Sequence, residues 1–229
     1  MKILCVADTV APLVYSSHIK ERFGDIDLVI GAGDLPIEYL EFITSSLNKP
    51  VVFVFGNHNL KRLNYFKRSV FSLDEPALNE PLVPMDSFGS IYIDNRVIRV
   101  KNLLIGGLGG SIRYNNGENQ FTEFQMYLKI FRMIPRMIWN RLFNGRYIDV
   151  LVTHSAPFGI NDRDDNCHRG FKSFLWFMKT FQPRFLLHGH IHLYDQNAIR
   201  ESAYMQTRII NVYDYYRLQV DVSNSDRRS

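Results

Sequence analysis

Residues 28–34 read Leu28-Val29-Ile30-Gly31-Ala32-Gly33-Asp34, a short apolar run that ends on a carboxylate. Runs of this length, rich in Val and Ile, read as strands buried on both faces, the kind that parallel sheets are built from. The same pattern recurs along the chain. Ile3 to Ala7 stops at Asp8, Val51 to Gly56 at Asn57-His58, Asp149 to Thr153 at His154, and Arg184 to Gly189 at His190-Ile191-His192. In layered α/β proteins ligands bind outside the carboxyl ends of such strands. Asp8, Asp34, Asn57, His154, His190 and His192 are therefore expected along one edge of one sheet, as a metal site.

Composition sets the frame. The chain has 229 residues, 46% hydrophobic and 22% charged, enough for one domain with a sizeable core and without the bias of a disordered or fibrous chain. Its two cysteines, Cys5 in an apolar run and Cys167 in a polar stretch, imply no disulfide framework. No window approaches eighteen unbroken apolar residues, and the start reads as a strand instead of a leader, so a soluble, cytoplasmic protein is expected. A formal charge of +4 favours anionic partners mildly, because part of the excess sits in a tail ending Asp226-Arg227-Arg228-Ser229. The expected division is a single domain over 1–222 and a flexible tail over 223–229.

The order of elements predicts two layers of sheet. Ser16 to Phe23 reads as a short helix and Pro36 to Leu47 as a helix opened by proline, giving a βαβαβ start. Glu75-Pro76 and Glu80-Pro81 mark a loop over Phe71 to Met85. Ile91 to Ile93, Arg96 to Val100 and Leu103 to Ile105 then alternate around Asp94-Asn95 as a hairpin and its neighbour, where a second sheet is expected to begin. Helices over Phe121 to Phe143 and Phe171 to Phe181 and closing strands over Ile199 to Val222 complete an α/β chain of two packed sheets with helices outside.

The gathered donors have a definite chemistry. Carboxylate oxygen and neutral imidazole nitrogen suit Mn, Fe, Zn or Ni, and the lack of cysteine among them argues against a structural zinc knuckle. The set exceeds what one tetrahedral ion needs, and a carboxylate can bridge, so two divalent ions roughly 3.5–4 Å apart are expected. Two such ions against two carboxylates leave net positive charge, which fits a phosphate ester. Capping of turns is the ordinary use of lone Asp and Asn residues, but here glycine precedes both and histidine follows Asn57.

Gly33-Asp34, Gly56-Asn57-His58-Asn59, Thr153-His154 and Gly189-His190-Ile191-His192, in that order, resemble the motifs of the calcineurin-like metallophosphoesterases. The resemblance implies a four-layer αββα sandwich of two mixed β-sheets flanked by helices. It also implies hydrolysis of phosphomonoesters, phosphodiesters or pyrophosphates by a hydroxide bridging two metals. Carried over by motif, Asp34 would bridge both ions, Asp8 and His192 would hold the first, and Asn57, His154 and His190 the second. His58 would be the catalytic residue facing the phosphoryl group. The chain departs from the family at its first motif, usually Asp-x-His, which here is Asp8-Thr9-Val10. Valine has no lone pair, so weaker occupancy of the first site and altered activity are expected. His18 and Tyr15 are the nearest substitutes, although a residue inside a helix rarely regains such geometry. A scaffold on the same fold, inactive and working by protein contacts, is the competing reading, and Val10 is its support.

Specificity is expected from loops. Gly106-Gly107-Leu108-Gly109-Gly110-Ser111 reads as a glycine-rich turn. Arg113, Tyr114 and Asn115 after it, and His168 in the Asn161 to Arg169 loop, are the candidates for substrate contact, Arg113 because guanidinium pairs bidentately with phosphate oxygens. His188 lies inside a strand and suits packing or support. In the Phe121 to Phe143 helix, Phe121, Phe124, Leu128, Phe131, Ile138 and Leu142 form one stripe and Lys129, Arg132 and Arg136 another, with Pro135 expected to kink or divide it. Such a helix packs on the sheet with a further contact to a second subunit, or rests on an anionic membrane. The expected partner is a phosphorylated small molecule or lipid head group. Nucleic acid is not expected, since basic and aromatic residues do not interleave.

Overall fold

The computed structural model describes residues 1–64, 66, 86–87, 89–195 and 199–221. Two six-stranded sheets carry the fold. In the first, β1 (Lys2–Ala7), β2 (Leu28–Ala32), β3 (Val51–Val54) and β5 (Ser90–Tyr92) run parallel, with β14 (Asp214–Gln219) and β4 (Asp86–Ser87) antiparallel at the edges. In the second, β7 (Leu103–Leu108), β10 (Val150–Thr153), β11 (Phe185–His188) and β13 (Thr207–Asn211) run parallel between antiparallel edges β6 (Arg96–Val100) and β12 (Glu201–Tyr204). A small parallel ladder pairs β8 (Ser111–Ile112) with β9 (Gln120–Phe121).

Strand alternation assigns the layers. Ile3, Cys5 and Ala7 of β1 enter the seam between the sheets together with Ile30, Val52, Ile105, Val152 and Ile210. Leu4 and Val6 point the other way, onto α1 (Ile19–Phe23) and α2 (Ile37–Leu47) through Ile19, Phe23, Leu40 and Ile43. On the far side Leu151, Leu186 and Ile209 meet α3 (Glu123–Asn144) and α4 (Lys172–Phe181) through Met126, Ile130, Met133, Phe174 and Phe177. The result is an αββα sandwich. Each such aliphatic or aromatic side chain contributes about 1.5–3 kcal/mol by leaving water, which is why both faces of both sheets must be covered.

Several expectations are corrected. Ile91 to Ile93 does not open the second sheet, because β5 pairs parallel with β3. The chain changes sheet at Asp94-Asn95, where Asn95 turns with φ of +60° and Asp94 accepts the Gly109 N–H at 2.7 Å. The glycine-rich segment is not a turn at its start either. Gly106 to Leu108 belong to β7 and are buried. A Cβ on Gly106 would meet Ile148 and Met133, and one on Gly107 would meet Ile93 and Val54, so these glycines let neighbouring layers approach closely. The Phe71 to Met85 loop and the 223–229 tail lie outside the described residues.

The helix α3 differs most from its expected form. Thr122 caps it in a reciprocal pair with Gln125, and it runs unbroken through Pro135 for 22 residues. Its buried face is Met126, Lys129, Ile130, Met133, Met137 and Asn140, while Phe124, Leu128, Phe131, Ile138 and Leu142, of the apolar stripe read from the sequence, face outward. Lys129 leaves the basic stripe for the interior. There it pairs with Asp94 at 2.9 Å, donates to the Gly109 carbonyl at 3.1 Å and lies 4.0 Å over the Phe121 ring. Glu123 joins α3 to α4 by accepting the main-chain N–H groups of Lys172 and Ser173 at 2.7 and 3.1 Å, which caps α4.

Replacing Gly107 by alanine sets a Cβ 2.6 Å from the Ile93 carbonyl oxygen and 2.8 Å from Val54 Cγ1. Such overpacking is expected to cost about 1–3 kcal/mol. The urea midpoint should fall with the slope unchanged, and an unaltered midpoint would contradict the close-packing role.

Candidate metal centre

The candidate residues stand where the chain leaves its strands, and they come from both sheets. Asp8, Asp34 and Asn57 follow β1, β2 and β3 of the first sheet, and His154, His190 and His192 follow β10 and β11 of the second. One edge of one sheet was the expectation, and the site instead closes the seam between two. Asp8, Asp34 and His190 have φ of +68°, +56° and +67°, a left-handed region that few residues other than glycine adopt. Strain of this kind collects where a side chain must stand in one place.

His154 is the centre of the group and is fully buried. Its Nδ1 lies 2.9 Å from the Ala32 carbonyl, an acceptor, so in the neutral ring Nδ1 carries the proton and Nε2 presents a lone pair. His190 is set in the opposite sense. Its Nε2 lies 2.7 Å from the Cys167 carbonyl, which leaves the lone pair on Nδ1. These two inward nitrogens face each other at 3.1 Å. Asn57 Oδ1 lies 3.1 Å from His154 Nε2, and Asp34 Oδ2 lies 3.3 Å from it. Four electron-pair donors thus converge, and only a positive charge between them, a proton or a metal cation, satisfies them.

Separations of about 3 Å are those of neighbouring ligands around one ion whose bonds measure about 2.0–2.2 Å. Asp34, His154 and His190 offer ligand atoms all within 4.8 Å of one another. The set fits a borderline divalent cation. Tyr114 completes it from outside, since its hydroxyl accepts from Asn57 Nδ2 at 3.2 Å and so keeps Oδ1 turned to the centre. Glycine is required beside this group: a Cβ on Gly56 would overlap Asp34 and His154.

Charges in the cluster are interdependent. Burial opposes charge on His154, but the carboxylates of Asp34 and Asp8 outweigh it and lift the imidazole to about 9. Burial, and then the charge of His154, push His190 down to about 3. Burial works against the Asp34 carboxylate too, yet His154 and the His58 N–H hold it down at about 2. Burial dominates at Asp8, raising it to about 6 against the pull of His154.

Asp8 and His192 stand apart from the compact group. The Asp8 carboxylate accepts the His190 N–H through both oxygens, at 2.9 and 3.1 Å, and lies 4.0 Å from His154 Nδ1. His192 bonds the Tyr194 hydroxyl at 2.7 Å and stacks 4.9 Å from the Tyr213 ring. Val10 is exposed, and neither expected substitute takes its place: His18 pairs with Glu21 at 3.1 Å, and Tyr15 packs on Phe42 with ring centres 4.5 Å apart. His58 sends its main-chain N–H to Asp34 Oδ1 at 2.7 Å and leaves its imidazole exposed.

The expected substrate residues divide. Tyr114 reaches the centre through Asn57, whereas Arg113 bonds Gln125 at 3.1 Å and Asn115 bonds Gly117 and Gln120 within its own loop. His168 is held by Asp165 at 2.8 Å, with its ring 5.2 Å from that of His190. His188 is buried, bonds the Gly189 carbonyl at 2.9 Å, and burial lowers it to about 4. A cleft lies beside His192, lined by Asn161, Asp162, Arg163, Tyr194 and Ile199. Sequence reasoning missed the carbonyls of Ala32 and Cys167, which set the two tautomers, because any residue type supplies a carbonyl. It also missed Asn119, whose amide donates to the Gly56 carbonyl at 2.6 Å and pins the turn before Asn57.

Comparison with known proteins identifies the family and the fold. A model of the calcineurin-like phosphoesterases matches residues 1–194. One solved structure aligns with a TM-score of 0.62 at 13% identity, over 95% of this chain and 94% of that one. The protein TT1561 of Thermus thermophilus aligns with a TM-score of 0.61 at 11% identity, over 93% and 89%. These structural likenesses speak for the fold. No curated protein matches by sequence.

A cation entering the group must displace the proton that His154 holds up to about pH 9. Binding of Mn²⁺ near pH 7.5 should therefore release about one proton, and affinity should fall roughly tenfold for each pH unit below that range. Titration calorimetry in buffers of different ionisation enthalpy measures both, and a heat independent of buffer would count against a proton on the centre.

Proposed function

The chain belongs to the calcineurin-like phosphoesterase family, and from that premise we propose that it hydrolyses phosphoesters with a divalent cation held by Asp34, Asn57, His154 and His190. The observation that supports this most is the pair of imidazole nitrogens turned toward each other at 3.1 Å, each ring fixed by a main-chain carbonyl on its other nitrogen. When bound, the cation supplies Lewis acidity toward water and charge to offset the phosphate. Asp8 and His192, with Asp34 shared, would hold a second and weaker position, because Val10 offers it no side-chain donor.

The chain's own groups then divide the work. Asp34 would hold the cation through Oδ2, the oxygen that faces His154 Nε2, while its Oδ1 accepts the His58 N–H, which fixes the turn bearing the catalytic imidazole. His58, exposed beside the centre, donates to a phosphoryl or leaving-group oxygen. Tyr114 orients Asn57. The cleft past His192, about 720 Å³ in volume, receives the rest of a phosphorylated small molecule, with Arg163 as the positive group on its wall. A phosphomonoester, phosphodiester or pyrophosphate is compatible with these parts.

A non-catalytic scaffold has one observation in its favour, the donorless Val10. Opposed carbonyl-locked imidazoles and a buried Asp34 would serve no purpose in it, and their burial would only destabilise the fold.

With Mn²⁺ the protein should cleave nitrophenyl phosphate or a bis-nitrophenyl diester, and Asp34→Asn or His154→Ala should reduce kcat by roughly a hundredfold or more while far-UV circular dichroism is retained. His58→Asn should slow phenyl esters more than nitrophenyl esters, since a poorer leaving group leans harder on proton donation. Equal turnover in all three variants, or none in the parent across a substrate panel with bound metal, refutes the reading.

Restoring the family's histidine is an independent check. Val10→His should raise the Mn²⁺ content toward two per chain and raise turnover at limiting Mn²⁺. Unchanged metal content would show that Val10 does not limit the first position.

A further inference from the structure

We propose that the outward face of α3 docks onto an anionic lipid surface, with the helix lying flat in the membrane interface. The proposal does not depend on the catalytic reading. Phe124, Phe131, Ile138, Trp139, Leu142 and Phe143 are between 48% and 73% exposed, on the side of α3 opposite its core-facing Met126, Met133 and Met137. From Phe124 to Phe143 they span about 30 Å at 1.5 Å per residue, a continuous apolar strip of a kind that soluble proteins rarely leave in water. The strip is also stiff. Its inner side is anchored by the Lys129–Asp94 pair and by the Glu123 bridge to α4, and its flank by the Phe131–Trp176 ring contact.

Charge decides what covers it. The polar residues that flank the strip, Arg132, Arg136 and Arg141, are exposed and basic, and between Phe124 and Ile148 the sequence has no acidic residue. The carboxylate just before this stretch, Glu123, is engaged at the start of α4. A second copy seated face to face would bring arginine against arginine with no carboxylate from the 124–148 stretch to answer it. An apolar face of Phe, Trp, Ile and Leu rimmed by arginine instead matches the boundary between acyl chains and negatively charged head groups. The helix does not cross a membrane: no helix among the described residues is long and apolar enough to do so. Its Met-lined side stays on the sheet, so only the outer side can insert.

Vesicle co-sedimentation tests the proposal. The full chain should pellet with mixed phosphatidylserine and phosphatidylcholine vesicles, release in high salt, and bind phosphatidylcholine alone poorly. Arg132→Glu/Arg136→Glu/Arg141→Glu should weaken anionic-vesicle binding roughly tenfold or more, as should Trp139→Ser/Leu142→Ser, with far-UV circular dichroism unchanged. Trp139 is one of two tryptophans, so in a Trp176→Phe variant its emission should shift to the blue as vesicles are added. No pelleting with anionic vesicles, or equal pelleting by parent and triple variant, overturns the proposal. A dimer in sedimentation velocity that Trp139→Ser/Leu142→Ser dissolves also overturns it, by assigning the face to a second copy.

Discussion

Two imidazoles held with their inward nitrogens toward each other set the demand that the rest of this molecule meets. His154 is tied to the Ala32 carbonyl and His190 to the Cys167 carbonyl, so each neutral ring is locked in the tautomer that leaves the inward nitrogen bare. Ala32 ends a strand of the first sheet, while His154 and His190 follow strands of the second. The lock on His154 therefore spans the seam, and the apolar packing of Ile30, Val52, Ile105 and Val152 behind it keeps the register between the sheets. Interiors pack too densely to let such a register drift by a fraction of an ångström.

Around that centre the backbone takes conformations that it would not choose alone. Asp8, Asp34 and His190 sit in the left-handed region, and Gly56 stands where any side chain would overlap Asp34 and His154. Each such residue costs of order 1–3 kcal/mol, which the sandwich absorbs through its three hydrophobic clusters. The fold holds a cluster of charge-seeking groups out of water, a cost that a bound cation would relieve.

Much of this could be read before any coordinates. Apolar runs with β-branched residues mark the parallel strands, because strands buried on both faces need apolar side chains at every position. Donor residues directly after such runs mark the strand ends. What the pattern could not carry has a physical reason in each case. Main-chain carbonyls such as those of Ala32 and Cys167 belong to every residue type. Gly106 and Gly107 resemble a turn, since glycine serves loops and close-packed strands alike. In α3 both sides are apolar, so periodicity alone has no way to say that Met126 and Met133 face in and Phe124 and Phe131 face out. Lys129 reads as a surface cation until its partner Asp94, 35 positions earlier, is brought beside it.

The central claim is that the space between His154 Nε2 and His190 Nδ1 belongs to a cation. Anomalous diffraction from crystals grown with Mn²⁺ tests it most directly. The strongest peak should lie within about 2.3 Å of both nitrogens and beside Asn57 Oδ1 and Asp34 Oδ2. A map with no peak there, while the two rings keep their places, would contradict the account.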